Sequence, residues 1–248
     1  MNSIVPPAQL GRATPLLAVR PQSKEPQKQA LMRRYECLTM ETSRTIIAPA
    51  TPLFEAAFSA FARGTVFKTD QGPCPVEDLF PGMMLETVEY GAQPLLWRGA
   101  MNIVPNTPCE DPDSQRLARV MQGSFGFARP ESDLMLGPAA TVVRPALGND
   151  APHMVPIKDL VDGHTVFRTQ PPSTVQVFHL VLPQQCSLIA NGVQLASYHP
   201  PLPRIRGLGP NMKQLFMSFF GHVSGLEGFG KSLQGTETPA FEPDLRWA

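Results

Sequence analysis

The side chains placed to do backbone chemistry are a hydroxyl at Ser59, another at Thr65, an imidazole at His179 and a thiol at Cys186. Ser59 could attack a backbone carbonyl in an acyl shift, but a hydroxyl is a much poorer nucleophile than a thiolate unless a base activates it. The residue that follows it is Ala60, whose methyl group offers no such chemistry. His179 alternates with Phe178 and Leu180 in a strand-like run, the pattern of a hydrogen-bonded structural histidine rather than of a base. Cys186 reads as a small buried hydrophobe, and His199 before Pro200-Pro201 as a strand end. Asn191-Gly192 is a hairpin turn signal.

The elements that must hold these groups are short strands. Thr65–Thr69, Met83–Glu89, Gln93–Arg98, Leu117–Met121, Asp133–Leu136, Thr141–Arg144, Thr165–Thr169, Val175–Leu182 and Ser187–Ala190 are rich in β-branched, aromatic or aliphatic residues. Asp70-Gln71-Gly72, Pro81-Gly82, Tyr90-Gly91, Gly148-Asn149-Asp150 and Asp162-Gly163 separate them as turns. The spacing predicts an all-β domain over residues 51–201, built as a curled antiparallel sheet. An internal repeat points to two related halves about a pseudo-twofold axis. Pro75-Val76-Glu77-Asp78-Leu79-Phe80-Pro81-Gly82 matches Pro156-Ile157-Lys158-Asp159-Leu160-Val161-Asp162-Gly163 in Pro, Asp, Leu and Gly at the same offsets. In each copy Pro fixes the entry and Gly supplies the sharp exit into the next strand.

Residues 1–50 read as a flexible, Pro-rich N-terminal arm, with one stretch, Gln27 to Met40, able to form a helix. Leu53, Phe54, Ala57, Phe58 and Phe61 have the spacing of a short amphipathic helix or docked turn. Residues 202–248 read as a C-terminal aromatic helix over Asn211 to Val223, followed by glycine breaks and a tail.

Composition excludes several classes. The chain has 248 residues with 21 basic and 21 acidic side chains, so it lacks the excess positive charge on which nucleic-acid binding depends. Its 28 prolines favour turns and short strands over long helices. Cys37, Cys74, Cys109 and Cys186 are widely spaced, which predicts no disulfide framework and no metal site. No run of about twenty apolar residues could span a membrane. The absence of a secretory pattern at the N-terminus predicts a cytoplasmic protein, and no cofactor is expected.

Three segments in order carry a family resemblance. Ala60-Phe61-Ala62-Arg63-Gly64-Thr65 is followed by Pro75 to Met83 and then by Gly91-Ala92-Gln93-Pro94-Leu95-Leu96-Trp97. Later come Asp133 to Pro138, Val155 to Gly163, His179-Leu180, Ile189 to Gly192 and Ser197-Tyr198-His199-Pro200. Together they resemble the Hint domain, the fold shared by hedgehog autoprocessing domains and inteins, most closely its bacterial branch. The resemblance covers roughly residues 57–201. It implies a first residue, normally Cys, that converts the preceding peptide bond into a thioester, and a histidine that protonates the departing nitrogen. Those positions correspond here to Ala60 and Ala140, and a later His-Glu pair falls at Gln185-Cys186.

Three chemically important positions are thus Ala, Ala and Gln, while turn and core residues persist. The expectation is a Hint scaffold without the reaction, serving as a structural or binding module with a protein partner. The arm and the aromatic C-terminal segment are its expected contact elements. One alternative is self-cleavage near Ser59-Ala60 by another nucleophile, with Thr65 and His179 nearby; another is a small-molecule pocket left by the old active site and lined by Ala60, Thr65, Ala140, His179 and Cys186.

Overall fold

A computed structural model describes residues 31–107, 111–144, 152–233 and 236–237. Residues 1–30, Cys109, the Gly148-Asn149-Asp150 turn and the tail beyond residue 237 lie outside them.

The chain opens with β1 (Met32–Thr39), β2 (Ser43–Pro49) and helix α1 (Pro52–Ala56). The first half of the family region holds β3 (Phe61–Ala62), β4 (Val66–Thr69), β5 (Gly72–Pro75), β6 (Met84–Thr87), β7 (Gly91–Pro94) and β8 (Trp97–Ile103). The second holds β9 (Leu117–Val120), β10 (Leu134–Leu136), β11 (Thr141–Arg144), β12 (His153–Pro156) and β13 (Val166–Thr169). Then come β14 (Val175–Val181), β15 (Ser187–Ala190), β16 (Val193–Ala196), α2 (Leu202–Arg206), α3 (Pro210–Ser218) and β17 (Thr236–Glu237). The fold is all-β. One sheet has the order β13-β9-β10-β3-β14-β8-β1-β2, and the other β17-β12-β11-β16-β15-β4-β6-β7 with β5 paired to β4.

The internal repeat is a structural one. Pro75 and Pro156 each end the second strand of a hairpin, with Val66 opposite Pro75 and Thr141 opposite Pro156. Each proline then opens a short 3-10 turn, Val76–Asp78 and Ile157–Leu160. The Val76 N–H donates to Thr65 O at 2.8 Å, and the Ile157 N–H to Ala140 O at 2.9 Å. Thr65 N–H donates to Ala62 O, and Ala140 N–H to Gly137 O, both at 3.1 Å. These bonds equate Thr65 with Ala140. The exits, Gly82 and Gly163, both have positive φ (96° and 71°), a conformation that favours glycine.

Two cores result. One is centred on Phe61, Phe67, Leu79, Leu136, Phe178 and Leu188. The other joins Tyr35, Phe54, Phe58 and Trp97 to Phe216, Phe219 and Phe220. The Trp97 indole N–H donates to Phe219 O at 2.8 Å, tying β8 to the end of α3.

Several expectations are corrected. The part of the N-terminal arm within the described residues is a β-hairpin, and β1 pairs with β8 from Tyr35↔Met101 to Thr39↔Trp97. The helix expected over Gln27 to Met40 is therefore a strand in its described part. Tyr35 and Cys37 are buried at a spacing of two, the strand period, and burial of that face outweighs helical propensity. The aromatic side chains Phe216, Phe219, Phe220 and Phe229 are buried against the protein itself, so they are not surface contact elements. Gln93–Arg98 is not one strand: Leu95 N–H donates to Met83 O and Leu96 N–H to Val181 O, so the chain crosses between sheets there. The helix over Asn211 to Val223 spans Pro210–Ser218. Among the described residues no helix is long and apolar enough to cross a membrane.

Candidate functional site

β3 enters the core immediately after Ser59. Ala60 N–H donates to Phe178 O at 3.0 Å on β14, and Gly137 N–H donates to Ala60 O at 2.7 Å beyond β10. Ala60 is fully buried. The Ser59 carbonyl, the group that a nucleophile at position 60 would attack, accepts the Ala139 N–H at 3.0 Å. This close approach demands glycine at 137, where a Cβ would lie 2.1 Å from the Ser59 oxygen. The backbone thus keeps a donor on the carbonyl that such an attack would polarise, an arrangement that stabilises developing negative charge.

Beside this junction a cleft of about 420 Å³ is lined by Ser59, Ala140, His179 and Gln185, four of the residues singled out in the sequence. Ala60, Thr65 and Cys186 do not line it. Thr65 Oγ1 donates to Ala62 O at 2.8 Å, fixing the turn into β4. Cys186 is buried in the main core, its Sγ donates to Gln184 O at 3.0 Å, and burial pushes its thiol up to about 12. A thiol so poised holds almost no thiolate at neutral pH, so it is a poor nucleophile.

His179 sits on β14 with its Nδ1 3.1 Å from Ala56 O. A carbonyl only accepts, so Nδ1 carries the proton and Nε2 has the lone pair. Burial pushes its pKa down to about 4, with the Ala56 bond opposing. The imidazole is therefore neutral near pH 7. Its ring packs edge-on against Tyr198 and Phe61, at centroid distances of 5.0 and 5.4 Å. The Tyr198 hydroxyl is buried without a hydrogen-bond partner among the described residues, and burial raises its pKa.

Gln185 binds two segments at once. Its Nε2 donates to Ser197 O at 3.1 Å, and its Oε1 accepts the Leu233 N–H at 3.0 Å. Its own N–H donates to Lys231 O at 3.0 Å. Gln185 thus clamps the C-terminal segment to the end of β16.

The profile of the Hint domain matches residues 59–201, more than half of the chain. The chain belongs to the Hint domain family. A solved structure described as a bacterial intein-like domain from Clostridium thermocellum is similar at 12% identity with a TM-score of 0.41, over 56% of this chain and 99% of that one. No curated protein matches the chain.

The Hint domain here is extended on both sides, and the extensions reach the cleft. Pro52, Glu55 and Ala56 line it from before the matched region, and Arg204 of α2 from beyond it. Glu55 is held by Arg33 of β1, both side chains nearly buried. Burial raises the Glu55 pKa and the Arg33 guanidinium opposes that shift. Sequence reading missed Tyr198, Glu55, Lys158 and Arg204 as cleft residues. The one signal for Lys158 is the repeat itself, which has Glu77 at the equivalent place.

Proposed function

We propose that this Hint domain does not cleave its own backbone and serves as a binding module. The observation that carries the reading is Ala60: the nucleophile position holds a methyl group enclosed in the core. Two further features support it. Ala140 brings no imidazole to the cleft, and among the described residues no cysteine lines it. The residues before the junction are also built into the same sheet and aromatic core, through β1, Phe54 and Phe58. Such a segment would stay packed even if the bond beside it broke. Cys37, Cys74 and Cys186 are free thiols, which fits a reducing, cytoplasmic setting. The binding partner is a protein or a small molecule held at the cleft.

The test is intact-mass measurement of freshly expressed protein, with and without added dithiothreitol or hydroxylamine. A single full-length species under all three conditions is expected. Fragments split near residue 60 would overturn the reading.

A second reading rests on Ser59 and His179 lining one cleft. In an N-to-O acyl shift, Ser59 Oγ would add to the Phe58 carbonyl carbon, the Phe58–Ser59 C–N bond would break and the amine would take the proton. The neutral His179 Nε2 is the available base. Hydroxylamine would then yield fragments 1–58 and 59–248, and Ser59→Ala would abolish them.

A further inference from the structure

The charges around the cleft are unequally engaged. Of the acids lining it, Glu55 is paired with Arg33, and Asp113 with Arg168 at 2.7 Å and Arg116 at 3.8 Å. Asp111 accepts the Asp113 N–H at 3.0 Å as the cap of the turn Pro112–Gln115, and stands near enough to Glu55 to raise its pKa. Among the cations, Arg116 and Arg168 are thus taken up by Asp113. Lys158 and Arg204 are exposed and have no ion pair among the described residues. His199, the other ionisable lining group besides Tyr198 and His179, is pushed down in pKa by burial.

The repeat sharpens the meaning of Lys158. In the first half, the equivalent Glu77 carboxylate accepts the Gly64 N–H at 2.8 Å and closes that turn upon itself. In the second half, the Ala139 N–H, equivalent to that of Gly64, turns to Ser59 O, and the side chain at 158 is a cation facing the cleft. Arg204, from outside the family region, is the second cation. Ala139 and Val161 add half-buried apolar surface to the same lining, and Ala140 and Ile157 border it from within the core. A cavity of about 420 Å³ whose lining sets unpaired cations beside apolar surface suits a small organic ligand.

We infer that the cleft binds a small carboxylic acid, its carboxylate held by Lys158 and Arg204 and its apolar body lying along Ala139 and Val161. Neutral His179 leaves charge recognition to those two cations. Arg204 offers the planar, two-pronged geometry that carboxylates accept, and Lys158 a point charge. The inference rests on the binding-module reading and specifies its ligand class.

The test is calorimetric titration of the full chain with hexanoate and benzoate, against 1-hexanol and benzyl alcohol as uncharged counterparts of similar shape. The acids are expected to bind saturably and at least tenfold more tightly than the alcohols. Lys158→Gln and Arg204→Gln should each weaken acid binding about tenfold and leave alcohol binding unchanged. Both side chains are exposed, so the variants should unfold at the same temperature as the parent without ligand, which separates lost binding from lost folding. Acids and alcohols binding alike, no saturable acid binding, or a double variant that keeps the parent's affinity would overturn the inference. Intact mass is recorded on the same sample. A cleaved chain defeats the binding-module reading, whereas an intact chain that ignores the acids defeats only the ligand assignment.

Discussion

Phe61 of β3 and Leu136 of β10 are backbone partners, and they hold equivalent places in the two halves of the repeat. The equivalence of Thr65 with Ala140, set by matching hydrogen bonds, carries Phe61 onto Leu136 at the same offset. Equivalent residues that pair antiparallel are what a local twofold axis requires. The axis therefore passes beside the Ser59-Ala60 junction, and the two halves present different residues to it: a turn closed by Glu77 on one side, the open cleft with Lys158 on the other.

Gly137 is the tightest point of this crossing. A Cβ there would meet the Ser59 carbonyl oxygen and carbon at 2.1 and 2.7 Å, backbone atoms that cannot swing aside. Gly137→Ala is expected to lower stability by at least about 3 kcal/mol, read as a drop in the urea midpoint. Gly64→Ala, where φ is +87° but nothing lies within 4 Å, should lose only about 1 kcal/mol from backbone strain. Equal losses at the two sites would contradict the close packing of β3 on the 137–140 turn.

What could be read from residues alone follows their spacing in the chain. Pro75 to Gly82 and Pro156 to Gly163 announce themselves because Pro, Leu and Gly act locally, each through its own backbone preference. β11 and β15 were legible to the residue for the same reason. The β1–β2 hairpin was not, because nearby prolines disguise it and its pairing partner, β8, lies some sixty residues away. Strands β5, β12 and β16 escaped too; β5 carries Pro73 and Pro75, which local propensity reads as turn. The cleft draws on residues from Pro52 to Arg204, so its electrostatics exist only after folding. Ala60 and Ala140 were found from the family's pattern; the fold buries both in one core, and it alone reveals that Ala140 also borders the cleft while Ala60 does not.

Acid should weaken the fold through its buried histidines. His179 is held down to about 4 by burial, His222 likewise to about 4, and His199 in the same direction. Their native pKa values lie below the unfolded value near 6.5, so the unfolded chain takes up protons first. The stability they contribute is fully present above pH 6.5 and is lost as pH falls toward 4. His179 alone would account for about 3 kcal/mol of that loss. Urea unfolding at pH 7, 5.5 and 4.5 should show the decline, and His179→Gln should flatten it. An unchanged slope in that variant would mean that His179 titrates normally in the folded protein.

The clamp at Gln185 should be local in its effect. Gln185→Ala removes the acceptor of the Leu233 N–H and the donor to Ser197 O, while the backbone bond to Lys231 O survives. Hydrogen exchange at the Leu233 amide should quicken at least tenfold, with little change in β14 and β8. Global stability should fall by about 1 to 2 kcal/mol, the usual effect of losing two partly buried hydrogen bonds. Exchange at Leu233 that matches the parent would show that the C-terminal segment is held by its side-chain packing instead.

Restoring the missing groups tests the site's register most directly. The Ser59 carbonyl already accepts the Ala139 N–H, and Ala140 lines the cleft close in sequence to that donor. With Ala60→Cys a thiolate could add to that carbonyl, and with Ala140→His an imidazole could protonate the departing Ala60-position nitrogen, giving a thioester between residue 59 and the new sulfur. Dithiothreitol would release fragments 1–59 and 60–248. Trace thiol-dependent cleavage is the expected outcome, because Ala60 is enclosed and the added sulfur must find room in a packed core. Each single variant should remain intact, since neither supplies both nucleophile and acid. A folded double variant that stays whole in dithiothreitol would mean that positions 60 and 140 do not meet across the junction as the family's chemistry requires.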